Sequence, residues 1–443
     1  MFNLIAPCAV IGAVTLLAYL ERRISSLEHT RLSPFVLLVF PYTAVLVIQA
    51  YSIKLYSLTP LSPTFICCLL IHVFIVWSVC ILFELLTQTS DSNVSDVDTS
   101  FYDEYVNSFI LLGLAVSMIQ VAGFLLQGRT VATLGQVVQE EFQAGYSGGV
   151  NFYLRLVSML CAVYLISGIT RDRLYLILPS LICLLPVLLT FVKSVVILCI
   201  LAGVIGNNIV NKRSLGIRDI CLAVTLCVVV FFGIYLIEIC IWDVSKLFSL
   251  ETYRYIFTKG NLYLISGVQS FNTVVASAFT LSSFTSQINY NLILAPFTNI
   301  LHRFGLAERV STVCPIWTVL GIIPGYGVAS GNVYTLIGDY VLYCGVLGSL
   351  VAEACFTSLV CYFYVLYHRS GDPFHLLIYC MFGAFYSLGW FDDYFSQTFW
   401  IYMLMLAYMI CLVIKGESHA RVLQANSHRH ASSTYSYGER GNS

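Results

Sequence analysis

Basic side chains stand in several of the polar segments that separate long apolar runs in this chain. Arginine and lysine in such segments could bind an anion and stabilise negative charge that develops during a reaction. Arginine fits phosphate oxygens with its planar fork, whereas lysine acts as a point charge. A solvated surface charge is the alternative for each of them. The candidates are Arg129, Lys193, Arg254, Arg303 and Arg309, with His302 beside Arg303.

Carboxylates that could accept a proton from a hydroxyl group also occur near the ends of apolar runs. Asp339 follows the start of one such run, and the adjacent Asp392 and Asp393 lie between two others. Glu353 lies inside an apolar run, where an acidic residue points to a functional role. The candidate proton acceptors are Glu140, Glu141, Asp243, Glu251, Asp339, Asp392 and Asp393.

The composition indicates that these residues belong to a membrane protein. Apolar residues make up 58% of the chain and charged residues 10%, whereas a soluble domain carries about 25% charged residues. The net charge of −1 gives no indication of nucleic-acid binding. Most of the 16 cysteines lie in apolar runs and are interpreted as small hydrophobic residues. The adjacent pair Cys67 and Cys68 does not have the spacing of metal ligands.

Apolar runs of about 18 residues or more predict membrane-spanning helices. About eleven are present, in an all-α polytopic domain over residues 1–414, and the polar tail 415–443 is expected to be disordered. A span at 313–330 is disfavoured because its prolines and glycines would break a helix. The predicted spans are 3–20, 34–53, 64–86, 106–126, 151–168, 174–192, 194–210, 219–238, 336–366, 374–390 and 396–414.

The distribution of Lys and Arg predicts the orientation, since these residues concentrate in cytoplasmic loops. With the loop that holds Arg22 and Arg23 in the cytoplasm, that side has thirteen basic residues, and the short outer loops have three. The N-terminus is therefore predicted outside and the C-terminus inside. The longest outer segment is then 239–335, and ordered loops of such length usually carry function.

Three segments resemble the O-antigen polymerase family (Wzy-type oligosaccharide repeat-unit polymerases). Residues 331–335 read Gly-Asn-Val-Tyr-Thr and precede Asp339-Tyr340, similar to a run at the end of the family's large periplasmic loop. Residues 263–271 resemble an element early in that loop. At 188–194 the family usually reads Thr-Gly-Ser-Arg, and Lys193 takes the position of the arginine. The family's acidic residue is missing at Tyr343-Cys344-Gly345.

The resemblance implies a GT-C-like glycosyltransferase in the bacterial inner membrane with its active site facing the periplasm. It implies transfer of a polyprenyl-diphosphate-linked glycan onto a second lipid-linked repeat unit, with no metal and no nucleotide sugar. The cations listed above would bind the diphosphate, with Asp339 as a further catalytic candidate. Asn332, Tyr334, Tyr263 and His302 would contact substrate. A polysaccharide chain-length regulator is a partner that the family context suggests.

Three other classes remain as alternatives. A lipid-linked oligosaccharide flippase is disfavoured because the sequence has no internal repeat, which transporters tend to show. An O-antigen ligase shares the architecture, but ligases usually have a histidine before the asparagine of the late-loop motif, and Gly331 precedes Asn332 here. A membrane scaffold without catalytic activity is the third alternative.

Overall fold

The chain folds into long, mostly apolar helices. Helices satisfy the backbone hydrogen bonds internally, as a lipid environment requires. The computed structural model describes residues 2–24, 32–55, 58–88, 100–126, 149–190, 192–211, 216–242, 245–246, 249–278, 291–310, 318–323, 327–331 and 333–416. Statements about the structure refer to these residues.

The helices are named here in chain order. A 3₁₀ turn at Arg171–Leu176 precedes the sixth α-helix. The α-helices are α1 (Phe2–Ile24), α2 (Pro34–Leu55), α3 (Pro63–Gln88), α4 (Ser100–Leu126), α5 (Val150–Ser167), α6 (Ile177–Leu188), α7 (Lys193–Val210), α8 (Ile217–Trp242), α9 (Leu250–Ala278), α10 (Asn291–Arg303), α11 (Leu336–Ser370), α12 (Pro373–Ser387) and α13 (Phe399–Gly416).

Among the described residues, eight helices are long and apolar enough to cross a membrane: α2, α3, α4, α5, α7, α8, α11 and α13. The multi-pass character predicted from the sequence is therefore confirmed. α1, α6 and α12 occupy the other three predicted spans but are not among these eight. α12 is apolar and has 15 residues. The number of eleven crossings stays a prediction.

Contacts between α5 and α7 show which helix ends lie together. Asn207 of α7 donates hydrogen bonds from Nδ2 to the carbonyl oxygens of Ser167 (3.1 Å) and Ile169 (2.6 Å) at the end of α5. The two helices therefore run in the same direction. Lys193 precedes Asn207 by 14 residues, and Tyr153 precedes Ser167 by 14 residues, which is about 21 Å of helix in both cases. We call this side of the bundle the Lys193 end.

α11 is two helical pieces rather than one straight helix. Gly345 has φ 69° and ψ 177°, a conformation that favours glycine. The ring of Tyr340 stacks on that of Phe356, with 5.6 Å between centroids. Sixteen residues of straight helix would separate them by about 24 Å. Residues 336–344 therefore fold back against 346–370, a break that the predicted span over 336–366 does not anticipate.

The first piece of α11 is fixed to its neighbours by hydrogen bonds at its start. The Thr335 hydroxyl oxygen accepts from the Gly338 amide (2.9 Å) and from the Tyr42 hydroxyl of α2 (3.0 Å). The Leu336 amide donates to the Gly389 carbonyl (2.7 Å) after α12. These contacts hold the beginning of α11 between α2 and the segment that follows α12.

The segment 239–335, predicted only as a long outer loop, contains regular structure. α9 has 29 residues and α10 has 13. Strands β1 (Thr318–Ile323) and β2 (Gly327–Gly331) form an antiparallel hairpin. This hairpin lies where a membrane span at 313–330 was disfavoured, and no helix forms among the described residues of that stretch.

A polar contact inside the bundle joins α3 to α11. The side chains of His72 and Glu353 are fully buried, with His72 Nδ1 3.8 Å from Glu353 Oε2. His72 Nε2 lies 3.1 Å from the Ser349 hydroxyl. Thr357 donates to Glu353 Oε1 over 3.4 Å and lies 2.8 Å from the Tyr386 hydroxyl. Such groups are retained in an apolar interior only when they have partners.

Candidate functional site: a groove with Lys193 at one end

A large apolar groove runs along one side of the bundle. It has a volume of about 1500 Å³ and is lined by α1, α2, α7, α8, α9 and residues that follow α12. Side chains along it include Phe40, Ile197, Val228 and Phe257. Its α7 wall extends from Lys193 to Ile205, about 18 Å along the helix axis. Typical small-molecule sites have about 300–1,000 Å³, so the groove fits a long apolar ligand.

Lys193 lines the groove at the Lys193 end of the bundle. Its Nζ stands over the ring of Tyr235 in α8, 4.0 Å from the centroid. Such a cation–π contact holds the ammonium group against the aromatic face. Ser194 and Asn261 line the groove beside it. A cation and polar side chains therefore terminate one end of a groove whose middle is apolar.

The turn between α6 and α7 places Lys193 at the beginning of a helix. The Thr190 hydroxyl donates to the Val187 carbonyl (2.7 Å) and accepts from the Val192 amide (3.3 Å), which closes the turn. Val192 is extended, and no side chain caps the first amides of α7. The positive end of the helix dipole and the Lys193 charge are therefore together, and both favour an anion. The predicted spans 174–192 and 194–210 leave one residue between them, which agrees with this short connection.

The opposite end of the groove is also polar. Glu21 and Arg22 of α1 and Asp219 of α8 line it there. On α8, the lining residues extend from Asp219 to Phe232, about 20 Å along the axis. The groove therefore covers about two thirds of a hydrocarbon core of about 30 Å.

The residues that follow α12 close the groove near Lys193. Leu388, Trp390, Phe391 and Tyr394 line it. Gly267 of α9 packs against this segment so closely that a Cβ atom there would lie 2.7 Å from the carbonyl oxygens of Trp390 and Phe391. Because both contacts are with backbone, a larger residue at 267 would displace this wall.

Tyr263 of α9, a predicted substrate contact, lines the same part of the groove. Its ring stacks on Phe391, with 5.8 Å between centroids, and lies 5.5 Å from the ring of Phe231. Its side chain is 41% exposed. An exposed aromatic ring next to a polar terminus can stack on a ligand such as a sugar.

Three acidic residues lie near one another behind this wall. Asp339, in the first turn of α11, lies within electrostatic range of Asp392 and Asp393. Burial raises the pKa of Asp392 to about 6. Burial, and then the charge of Asp392, raises the pKa of Asp393 well above its usual value. Asp392 is the least buried of the three, and Phe391 next to it in the chain lines the groove.

Asp392→Asn should raise the thermal unfolding temperature at about pH 7.5 and have a markedly smaller effect at about pH 4.5. An unfolded aspartate titrates near pH 3.8, whereas the folded value is about 6. As the pH rises between these values the unfolded chain loses its proton first, so stability falls. Asparagine does not ionise, so it removes this loss of stability. Its side-chain oxygen can still accept a hydrogen bond from the Asp393 amide, as Asp392 Oδ1 does over 2.9 Å. An equal shift at both pH values would contradict this interpretation.

The predicted loop cations do not line the groove. Arg254 and Arg309 are exposed. Arg303 donates to the Tyr153 hydroxyl over 3.1 Å, and its guanidinium stands 5.2 Å from the Tyr402 ring centroid. His302 is exposed, and its Nδ1 lies 3.0 Å from the Ala307 carbonyl oxygen. Arg303 and Lys193 thus share one end of the bundle, because Tyr153 and Lys193 lie at the same level.

The late-loop motif is only partly described. Tyr334 is 1% exposed, so its ring is part of the packed interior and offers no surface to a sugar in this conformation. Arg129 and Asn332 lie outside the described residues. Thr335, the last residue of the motif, caps the first turn of α11.

Sequence reasoning missed the aromatic residues of the groove. Tyr235 contacts Lys193, and Trp390 and Phe391 line the groove, although the three come from segments far apart in the chain. It also missed the partner of Glu353. The available signal was His72, a single histidine within the apolar run 64–86.

The fold and the groove define a multi-pass helical membrane protein with a cation at the end of a lipid-sized apolar site. The chain belongs to a family of unknown function (DUF6337), which matches residues 92–421. No curated protein and no solved structure matches it. The family match covers Lys193, Tyr235, Tyr263 and the acidic residues, whereas α1 to α3 precede it.

Proposed function

We propose that this protein polymerises O-antigen-type repeat units, transferring a polyprenyl-diphosphate-linked glycan onto a second lipid-linked unit at the periplasmic face of the inner membrane. The observation that carries this proposal is Lys193 at the end of the apolar groove. The segment 188–194 also resembles the O-antigen polymerase family, in which an arginine stands at the position of Lys193.

The ligand has two chemically different parts, and the groove has two matching regions. A polyprenyl chain is apolar and needs a long surface at membrane depth, which α7 and α8 provide. Its diphosphate needs positive charge at the membrane surface, which Lys193 and the first amides of α7 provide. Tyr263 lies where the first sugars would be.

The reaction requires charge stabilisation and a proton acceptor. An acceptor hydroxyl oxygen attacks the anomeric carbon of the donor glycan, the bond from that carbon to the diphosphate oxygen breaks, and polyprenyl diphosphate leaves with the bonding electrons. Lys193 stabilises the charge that grows on the leaving diphosphate. The hydroxyl proton passes to a carboxylate, for which Asp392 is the most accessible of the three acids described above.

The flippase alternative receives less support from the groove. Moving a glycan across a membrane needs a polar path, and the wall between the polar residues at the two ends is apolar. The ligase alternative uses the same donor and differs only in its acceptor, so it is separated by experiment rather than by geometry.

Purified protein in vesicles with radiolabelled lipid-linked repeat units should produce a ladder of longer lipid-linked glycans and release polyprenyl diphosphate. In cells, loss of the protein should leave single repeat units on the lipid core. Transfer of one unit to a lipid core without a ladder would instead indicate a ligase. Movement of units across the vesicle membrane without new glycosidic bonds would indicate a flippase.

A further inference from the structure

α10 has an apolar stripe that faces away from the protein. Leu294, Phe297 and Leu301, spaced at three and four residues, are 55%, 49% and 46% exposed. This spacing places them on one face of a helix. Phe304 and Leu306 continue the stripe and are 74% and 72% exposed. The opposite side packs inward, since Ala295 is fully buried.

Contacts place α10 at the ends of two membrane-spanning helices. Arg303 bonds to the hydroxyl of Tyr153 and stands over the ring of Tyr402. Each of these tyrosines is the fourth residue of its helix, α5 or α13. Phe297 contacts Trp400, the second residue of α13, with 5.9 Å between centroids. α10 therefore lies at the Lys193 end of the bundle, where α5 and α13 begin.

We infer that α10 is an interfacial helix whose exposed stripe lies in the lipid headgroup and acyl boundary. Tyr153 and Tyr402 are partly exposed at the first turns of their spans, where tyrosines mark the interfacial depth in membrane proteins. A helix at that level with one apolar face removes the face from water by lying in the interface plane. Arg303, in its last turn, lies at the height of anionic lipid phosphates. The inference rests on the multi-pass fold and is independent of the polymerase proposal.

A lipid surface explains the stripe better than a protein partner does. α10 packs on the first turns of two spans, so its exposed apolar side chains lie at the depth where those spans enter the bilayer. The stripe also extends past the end of the helix to Phe304 and Leu306. A bilayer interface accepts such an irregular apolar edge without needing complementary shape.

A photoreactive benzoyl-phenylalanine at position 301 tests the inference in the full-length protein. In vesicles of phosphatidylethanolamine and phosphatidylglycerol, irradiation should give lipid adducts at 301. Position 308 is the control, because Glu308 is exposed and polar just beyond the stripe, and it should give markedly fewer adducts. Elution as a single species in gel filtration confirms folding of both variants. Absence of lipid adducts at 301, or adducts there only to another protein chain or a second copy, would overturn the inference.

Discussion

Lys193→Ala should reduce polymer formation about 100- to 1,000-fold, the usual consequence of removing one charge-stabilising contact from a transition state. Lys193 is the cation that lines the groove at the Lys193 end. The polar residues described beside it, Ser194 and Asn261, are neutral. Without the ammonium group, charge growing on the diphosphate would meet helix amides alone. The measurement is the rate of ladder formation by purified protein in vesicles.

Two variants control the Lys193 experiment. Lys193→Arg keeps the charge and adds a planar fork for phosphate oxygens, so it should retain most activity. Arg254→Ala removes an exposed cation of the same predicted compartment that does not line the groove, and it should behave like the parent protein. A folded Lys193→Ala variant with normal rates would remove the main support for the proposed function.

Glu353→Ala should destabilise the protein by about 1–3 kcal/mol, because it removes the polar neighbour of a buried histidine ring nitrogen. His72 and Glu353 are both fully buried, and Glu353 also accepts from Thr357. The loss should appear as a large fall in thermal unfolding temperature in detergent. Glu251→Ala is the matched control, since Glu251 is exposed and exposed charges contribute little to stability.

The double variant His72→Leu with Glu353→Leu separates pairing from burial. Replacing a buried polar pair by apolar residues of similar volume is often neutral or stabilising. We therefore expect the double variant to recover most of the stability lost in Glu353→Ala. If the effects of the two single leucine substitutions simply add, His72 and Glu353 are not energetically coupled, and the contact does not hold α3 to α11.

The helices were predictable because the constraint that produces them is local. A membrane forces each spanning segment to satisfy its own backbone, so an apolar run is enough to predict a helix. The break at Gly345 was not predictable in this way. Glycine within an apolar run is compatible with a straight helix, and only the packing of Tyr340 on Phe356 requires the fold-back.

The candidate site was predictable only in part, at Lys193, Tyr263 and Asp392. Lys193 was identified from its position between two adjacent apolar runs and from the resemblance at 188–194. The groove that it terminates depends on how α8 and α9 pack beside α7, and no local pattern encodes that arrangement. Tyr334 shows the reverse case, because a motif residue expected at the surface is buried once the start of α11 is fixed to α2.

The exposure of α8 has a kinetic consequence. Only 11% of the apolar stretch of α8 is buried inside the protein, against 61% for that of α7. One long wall of the groove is therefore a helix whose other face meets lipid. A ligand that enters beside α8 arrives by two-dimensional diffusion and never crosses water. Its encounter rate then follows the number of ligand molecules per unit membrane area. Adding inert lipid at constant total ligand would slow such a reaction, whereas enlarging the aqueous volume would leave its rate unchanged.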